Sequence, residues 1–315
     1  MEPYEIALVV LGALFLIVLI GSYVAYRIAF YTDRHDDLDP IAWLGEIDEP
    51  WKAETKASVE KLLTKNFEDC YITSRDGLKL HALYYRNSPD APTVIQCHGY
   101  RSFSFRDFSI GSLRAIDERG FNLLLIDQRS HWKSEGHTIS FGLKERFDLI
   151  DWIDFLIKEK NAGKIALSGM SMGSATVIMA GGQKLPENVV GIIADCPYSS
   201  AARVILKVTR DMKLPAIPLF PFVYLGALIF GRFNLLADTP KKAIKRCKLP
   251  LLLVHGDSDT FVPYKMSCEI YEARPEGTEF ITVAGADHGF SFIVDRPRYE
   301  AALIEFEKTV LGWER

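Results

Sequence analysis

Three residues of this chain could together carry out nucleophilic attack and proton transfer: Ser171, Asp259 and His288. Ser171 lies in Gly169-Met170-Ser171-Met172-Gly173, a G-x-S-x-G pattern that puts a serine on a sharp strand-to-helix turn. A serine hydroxyl is a weak nucleophile until a neighbouring base takes its proton, and a third group must orient that base. His288, in Ala286-Asp287-His288-Gly289, offers the imidazole, and Asp259, in His255-Gly256-Asp257-Ser258-Asp259, offers the carboxylate. The pentapeptide alone is weak evidence, because a glycine-rich turn reads the same way. Its weight comes from where its partners fall.

Positioning them requires three strands. Ile165, Ala166 and Leu167 form an apolar run, Ser168 to Gly173 are mostly small, and Ala175 to Ala180 have helical composition: strand, tight turn, helix. A β-carbon at either flanking glycine would strike the neighbouring strand or helix, and the serine is pushed out above the sheet edge. The Met172 amide then lies at a helix N-terminus, where unpaired donors favour a developing oxyanion. The Tyr100 amide, in Cys97-His98-Gly99-Tyr100 after the strand Thr93 to Cys97, is placed to be a second such donor. Asp259 and His288 likewise follow strands, Leu249 to His255 and Glu279 to Ala284. From Phe67 onward strands and helices alternate, which predicts a mostly parallel sheet covered on both faces, with reactive groups beyond the C-terminal strand ends.

Competing residues are assigned quieter roles. Asp257 is the alternative to Asp259 but suits a turn-stabilising carboxylate. Asp287 adjoins His288, and adjacent side chains diverge. His98 reads as a loop-fixing residue, and His35, His81, His131, His137 and His255 as structural or solvated.

The set HGY, DQRSHWKSEG, GMSMG, HGDSDTFVP and GADHGF resembles the α/β-hydrolase superfamily, in particular bacterial membrane-anchored hydrolases related to monoacylglycerol lipases and the serine-aminopeptidase-like group. The likeness covers roughly Phe67 to Leu311. It implies an eight-stranded, mostly parallel sheet with helices on both faces, and the chain order Ser, Asp, His matches that fold. By that likeness Ser171 is nucleophile, His288 base, Asp259 acid, and Tyr100 and Met172 give the oxyanion amides; no metal or organic cofactor is needed. One departure is visible. Relatives read D-x-R-G-H-G-x-S, whereas Ser130 and Trp132 stand at the two glycine positions here.

The rest of the chain bounds this reading. At 315 residues, 48% hydrophobic and 25% charged, it can bury one large core or two small ones. A net charge of -4 implies no basic face and argues against a nucleic-acid partner. Five scattered cysteines without metal-ligand spacing read as free, buried thiols. Ile6 to Tyr26 is uncharged and long enough to cross about 30 Å of hydrocarbon, with Tyr23, Tyr26 and Tyr31 gathered at one end. A cleaved signal peptide is disfavoured, because two glutamates and no basic residue precede the span. Arg27 and Arg34 follow it, which favours a cytoplasmic hydrolase portion on a single-pass membrane protein.

The expected organisation is an anchor over 1-31, an acidic linker and docking helix over 32-66, and the hydrolase domain over 67-315. Asp33 to Pro50 forms the linker, and Pro50 to Lys65 a helix with Trp51, Val59, Leu62 and Leu63 as its docking face. A cap insertion over 198-248 contains the run LPAIPLFPFVYLGALIFG. Its apolarity suits an acyl pocket, a face dipping into the bilayer, or plain packing on the core; its prolines argue against a second span. The favoured chemistry is hydrolysis of small-molecule or lipid esters with an apolar acyl group through an acyl-enzyme. A peptidase of the aminopeptidase type would need carboxylates for a substrate ammonium, with Asp211 and Asp238 the obvious ones. A non-catalytic acyl-binding protein is the remaining alternative.

Overall fold

A computed structural model describes residues 2–33, 39, 41 and 50–313. The acidic linker therefore lies largely outside the described residues. The elements in chain order are α1 (Pro3–Ala29), α2 (Pro50–Leu63), β1 (Glu68–Thr73), β2 (Lys79–Tyr85), β3 (Thr93–Cys97), α3 (Ser104–Asp117), β4 (Asn122–Ile126), α4 (Glu145–Lys160), β5 (Ile165–Met170) and α5 (Met172–Gly181). They continue with β6 (Val189–Asp195), α6 (Ala201–Asp211), α7 (Ala216–Ile229), α8 (Pro240–Ile244), β7 (Leu251–Gly256), α9 (Lys265–Ala273), β8 (Thr278–Val283), α10 (Ser291–Val294) and α11 (Arg296–Leu311).

Among the described residues the strands form an eight-stranded sheet in the order β1-β2-β4-β3-β5-β6-β7-β8. β1 and β2 are an antiparallel hairpin, and β2 pairs antiparallel with β4; every pairing from β4 to β8 is parallel. The central strands are apolar almost throughout because both of their faces are covered. Alternate residues show it. Ile95, Leu124, Ile165 and Leu167 pack with Trp152, Ile153 and Leu156 of α4 and Val177 of α5. Val94, Leu123, Leu125 and Ala166 pack with Leu113 and Ile116 of α3, Phe306 and Val310 of α11, and Val59 and Leu62 of α2. Of the proposed docking residues on α2, Leu63 alone is exposed, while Trp51 meets Phe290 edge to face.

A third apolar cluster sits over the C-terminal strand ends and joins the cap to the N-terminal helix. It contains Val204 and Ile205 of α6, Val223 and Ala227 of α7, Met172 of α5, and Tyr26 and Phe30. The apolar run of the insertion forms α7, and α7 lies against α1. A β-carbon at Gly226 would come 2.5 Å from the Ser22 carbonyl oxygen, so the helices cross at backbone distance, which only a glycine allows there.

α1 is the one described helix long and apolar enough to cross a membrane. Most of its side chains are exposed, among them Leu11, Phe15 and Ile17, but one face of its last turns is covered: Ser22, Tyr26 and the following Phe30 are buried, while Tyr23, Val24 and Ile28 stay exposed. A domain boundary at residue 31 thus falls inside a packed segment.

Candidate active site

The turn between β5 and α5 is built as tightly as its glycines require. A β-carbon at Gly169 would come 2.4 Å from the Gly173 carbonyl, and one at Gly173 would come 1.8 Å from the Cys97 carbonyl oxygen of β3. Ser171 itself adopts φ 53°, ψ -111°, a strained backbone for a residue with a side chain, and its amide donates to the Asp195 carbonyl at 2.9 Å. Its hydroxyl faces the loops that follow β7 and β8.

His288 lies there, with Nε2 2.9 Å from Ser171 Oγ and Nδ1 2.7 Å from Asp259 Oδ2. A carboxylate only accepts, so Nδ1 carries the proton and Nε2 is the acceptor for the serine hydroxyl. The Asp259 side chain is fully buried. Its other oxygen, Oδ1, accepts the amides of Phe261 (2.9 Å) and Val262 (2.7 Å). Burial opposes its ionisation, but the hydrogen bonds from His255, His288 and the Val262 amide outweigh that and hold the carboxyl well below the usual carboxylate range.

The neighbouring acids are occupied otherwise. Asp257 accepts the Gly285 amide at 2.7 Å, and Asp287 accepts the amides of Thr260 and His288, both at 2.8 Å. His255, read from sequence as structural, touches Asp259: its Nε2 is 3.0 Å from Oδ2, and its Nδ1 is 2.6 Å from Ser267 Oγ. The four-residue spacing from His255, at the end of β7, to Asp259 was the available signal.

The loop carrying Tyr100 is held by buried groups on three sides. Asp107 Oδ2 accepts the Gly99 amide at 2.7 Å, which leaves the Tyr100 amide as the next one along. His98 donates from Nδ1 to the Gly99 carbonyl (2.8 Å) and accepts the Gln128 amide at Nε2 (3.1 Å). His131 donates to the Arg129 carbonyl (2.9 Å) and accepts the Arg101 amide (3.1 Å). Both rings are neutral because they are buried, which brings His98 down to about 4 and His131 to about 3. The unusual Ser130 and Trp132 both adopt positive φ, 68° and 40°, the conformation that glycine accepts without strain. Their loop is nevertheless pinned, since the Arg129 guanidinium between them and β4 bridges Asp148 (2.6 Å) and Asp76 (2.9 Å).

Two cavities meet at Ser171. One, of about 130 Å³, is apolar and lies beneath α6, lined by Val204, Ile205, Val208, Met212, Phe261 and Met172. The other, of about 550 Å³, passes His288 and Phe292 and runs between the sheet and the helices α3 and α11. Its wall includes Asp195, whose buried carboxyl meets the Tyr299 hydroxyl; burial pushes this acid up to about 6. Sequence reading did not single out Asp195. The grouping best spaced to hold a metal, among the described residues, is Cys196, Asp259 and His288. Its imidazole and carboxylate already bond each other, and burial raises the Cys196 thiol well above its ordinary value, the reverse of what a thiolate ligand needs.

A protein-family profile described as alpha/beta hydrolase fold matches residues 92–215, a span that runs from β3 through the serine turn into the cap. This chain has the α/β-hydrolase fold. Among solved structures, an esterase from Pyrococcus furiosus superposes on this hydrolase fold with a TM-score of 0.66 at 24% identity, covering 79% of this chain and 93% of that one. The Butyrivibrio proteoclasticus protein Est1E, solved with ferulic acid bound, matches with a TM-score of 0.60 at 22% identity over 77% of this chain and 99% of its own. The uncharacterized protein YqkD of Bacillus subtilis is 26% identical over 226 residues, 71% of this chain and 73% of the relative.

Proposed function

We propose that this α/β-hydrolase is a serine esterase that cleaves carboxylic esters with an apolar acyl group. The observation that carries the reading is the unbroken chain Ser171 Oγ, His288 Nε2 and Nδ1, Asp259 Oδ2, with contacts of 2.9 and 2.7 Å, at the mouth of an apolar pocket. His288 takes the Ser171 proton as the oxygen attacks the acyl carbonyl, and Asp259 stabilises the imidazolium that forms. The Met172 and Tyr100 amides hold the oxyanion, each such donor being worth about 3 kcal/mol in the transition state. The protonated His288 gives its proton to the leaving alcohol, and water, activated by the same ring, releases the acid. We place α1 in a membrane, with Arg27 favouring the hydrolase domain on the cytoplasmic side.

One observation favours a second reading, a peptidase acting on a free amino terminus. Asp211 and Asp238 are occupied by Lys207 and by Arg146 and Arg246 respectively. Asp195 meets the Tyr299 hydroxyl but no ion-pair partner among the described residues, and it lies on the wall of the larger cavity beside Ser171. The test is turnover by the full chain in detergent of p-nitrophenyl esters of graded length and of an aminoacyl anilide, with fluorophosphonate labelling. Esters turned over, with Ser171→Ala losing labelling and on the order of 10⁶-fold in kcat, support the esterase. Cleavage of the anilide alone replaces it with the peptidase, and a folded protein with neither activity nor labelling refutes both.

A further inference from the structure

The end of α1 enters the hydrolase domain at the site itself. Phe30 is wholly buried, edge to face with Phe141 (5.8 Å) and Phe233 (5.2 Å), and its carbonyl accepts the Ile139 amide at 2.8 Å. Tyr31 bridges to Thr138 as an isolated antiparallel pair, and the Tyr26 hydroxyl meets Thr138 Oγ1 at 2.7 Å. A helix ends with carbonyls that lack an intrahelical partner, and here residues of the serine site satisfy them. Tyr100 donates its hydroxyl to the Ala29 carbonyl at 3.1 Å. Arg101 donates Nη2 to the carbonyls of Ile28 (3.0 Å) and Tyr31 (2.8 Å), its charge also suiting the negative end of the helix. Both donors belong to the loop that follows Gly99, where a β-carbon would come 3.6 Å from that of Ser171.

The same turn also lines the apolar cavity. Ile28 and Ala29 form one side, Val204, Ile205, Val208 and Met212 of the α6 segment the other, and Ser171 and Met172 the floor. Beside it, Leu214 between α6 and α7 and Ile217 in the first turn of α7 are exposed apolar residues, as is most of α1. Counting about 20 residues at 1.5 Å each to cross the hydrocarbon from Ile6, Ala29 stands roughly one turn beyond it, at the level of lipid headgroups and ester carbonyls.

We propose that the last turn of α1 is a wall of the acyl-binding site and the latch of the Tyr100 loop, so that the segment seating the protein at the membrane also selects the acyl chain. This rests on the hydrolase reading above. The acyl group enters between Ile28–Ala29 and α6 from an ester lying in the adjoining leaflet, and its carbonyl meets Ser171 at headgroup depth. The chain length accepted is then set by α1 as much as by the cap.

The test uses the full chain in detergent micelles with p-nitrophenyl acetate through dodecanoate. One methylene in an apolar pocket discriminates by roughly 10- to 200-fold. Ala29→Leu, which adds three carbons to the wall, should therefore lower the dodecanoate-to-acetate ratio of kcat/KM by at least about tenfold. Ile28→Ala should raise that ratio, and it decides the matter if Ala29→Leu does not fold. Ile17→Ala, on the exposed middle of α1, should leave it unchanged. Ratios for Ile28→Ala and a folded Ala29→Leu that superimpose on the parent's, while Ser171 still reacts with fluorophosphonate, overturn this inference and leave the hydrolase reading standing. Absence of labelling in the parent protein overturns the hydrolase reading instead.

Discussion

The Nε2 atom of His255 lies 3.0 Å from the same Asp259 oxygen that His288 Nδ1 meets at 2.7 Å. His255 is fully buried, and its Nε2 faces the Asp259 carboxylate and the Val262 carbonyl, which only accept, so Nε2 carries a proton and Nδ1, 2.6 Å from Ser267 Oγ, is left to accept from that hydroxyl. Under the proposed mechanism it is a positioning residue: it holds Asp259, which in turn holds His288. His255→Ala should lower kcat by roughly 10- to 100-fold with little change in KM, the range seen when an outer hydrogen-bond partner is lost. His255→Gln, which keeps a donor, should recover part of the loss. A fall in KM with kcat intact would assign His255 elsewhere.

The serine turn tolerates no side chain at its second glycine. Gly173→Ala would set a β-carbon 1.8 Å from the Cys97 carbonyl oxygen, a backbone atom of the central sheet that has no room to retreat. The expected result is loss of more than about 4 kcal/mol, read as a protein that does not fold, in urea titration. Gly111→Ala in α3 meets nothing within 4 Å and should stabilise by about 0.5–1 kcal/mol through helix propensity. Comparable stabilities for the two variants would contradict the geometry of the turn.

Acid should loosen the Tyr100 loop through His98. Its Nε2 accepts the Gln128 amide, and protonation would turn donor against donor, which agrees with burial bringing the ring down to about 4 from an ordinary value near 6.5. A folded-state value below the unfolded one means that the stability is fully present above pH 6.5 and is lost as the pH falls toward 4. By pH 5 the loss is about 2 kcal/mol. Denaturant titrations of the parent and His98→Asn at pH 7.5 and pH 5 should differ by that amount in their pH dependence. Asp195 and Glu307, raised by burial to about 6 and about 7, act with the opposite sign but are common to both proteins and cancel.

Asp195 itself gives the reverse slope. With its folded-state value raised to about 6, the carboxyl is comfortable when protonated, and stability falls as pH rises from about 4 through 6. Asp195→Asn should therefore be more stable than the parent by about 1–3 kcal/mol at pH 7.5 and close to it at pH 4.5. If the cavity receives a substrate ammonium, the same variant loses anilide turnover while ester turnover is kept. Equal loss on both substrates would make the Asp195 side chain a support of the site and not a binding group.

Tyr100→Phe removes one hydroxyl and keeps the amide. With the Ala29 carbonyl unlatched, kcat should fall several-fold for acetate and dodecanoate alike, and Arg101→Ala, which frees two carbonyls of the same helix end, should fall further. Unchanged rates in both variants would show that the loop is held from the His131 and Asp107 side alone.

What the sequence determined by itself is the part of the molecule written in local patterns. The apolar runs of β3 to β7, the glycines around Ser171 and the position of Asp259 and His288 just past strands all express steric and hydrophobic rules that act over a few residues. The mostly parallel sheet and the candidate serine, acid and base could be read from them, while the count of eight strands was implied by the family resemblance. Tertiary structure decided what depends on contacts between distant segments. Phe30 follows an apolar span and looks like its flank, yet it is buried because Phe141 and Phe233 close around it. The apolar run of the cap became α7 packed on α1, where Gly226 meets Ser22, a pairing separated by some two hundred residues that no periodicity announces. His255 and Asp195 were passed over for the same reason. A histidine or aspartate in a strand end reveals its role only when the groups facing it are known, because burial and hydrogen-bond partners, not residue type, set its protonation and its orientation.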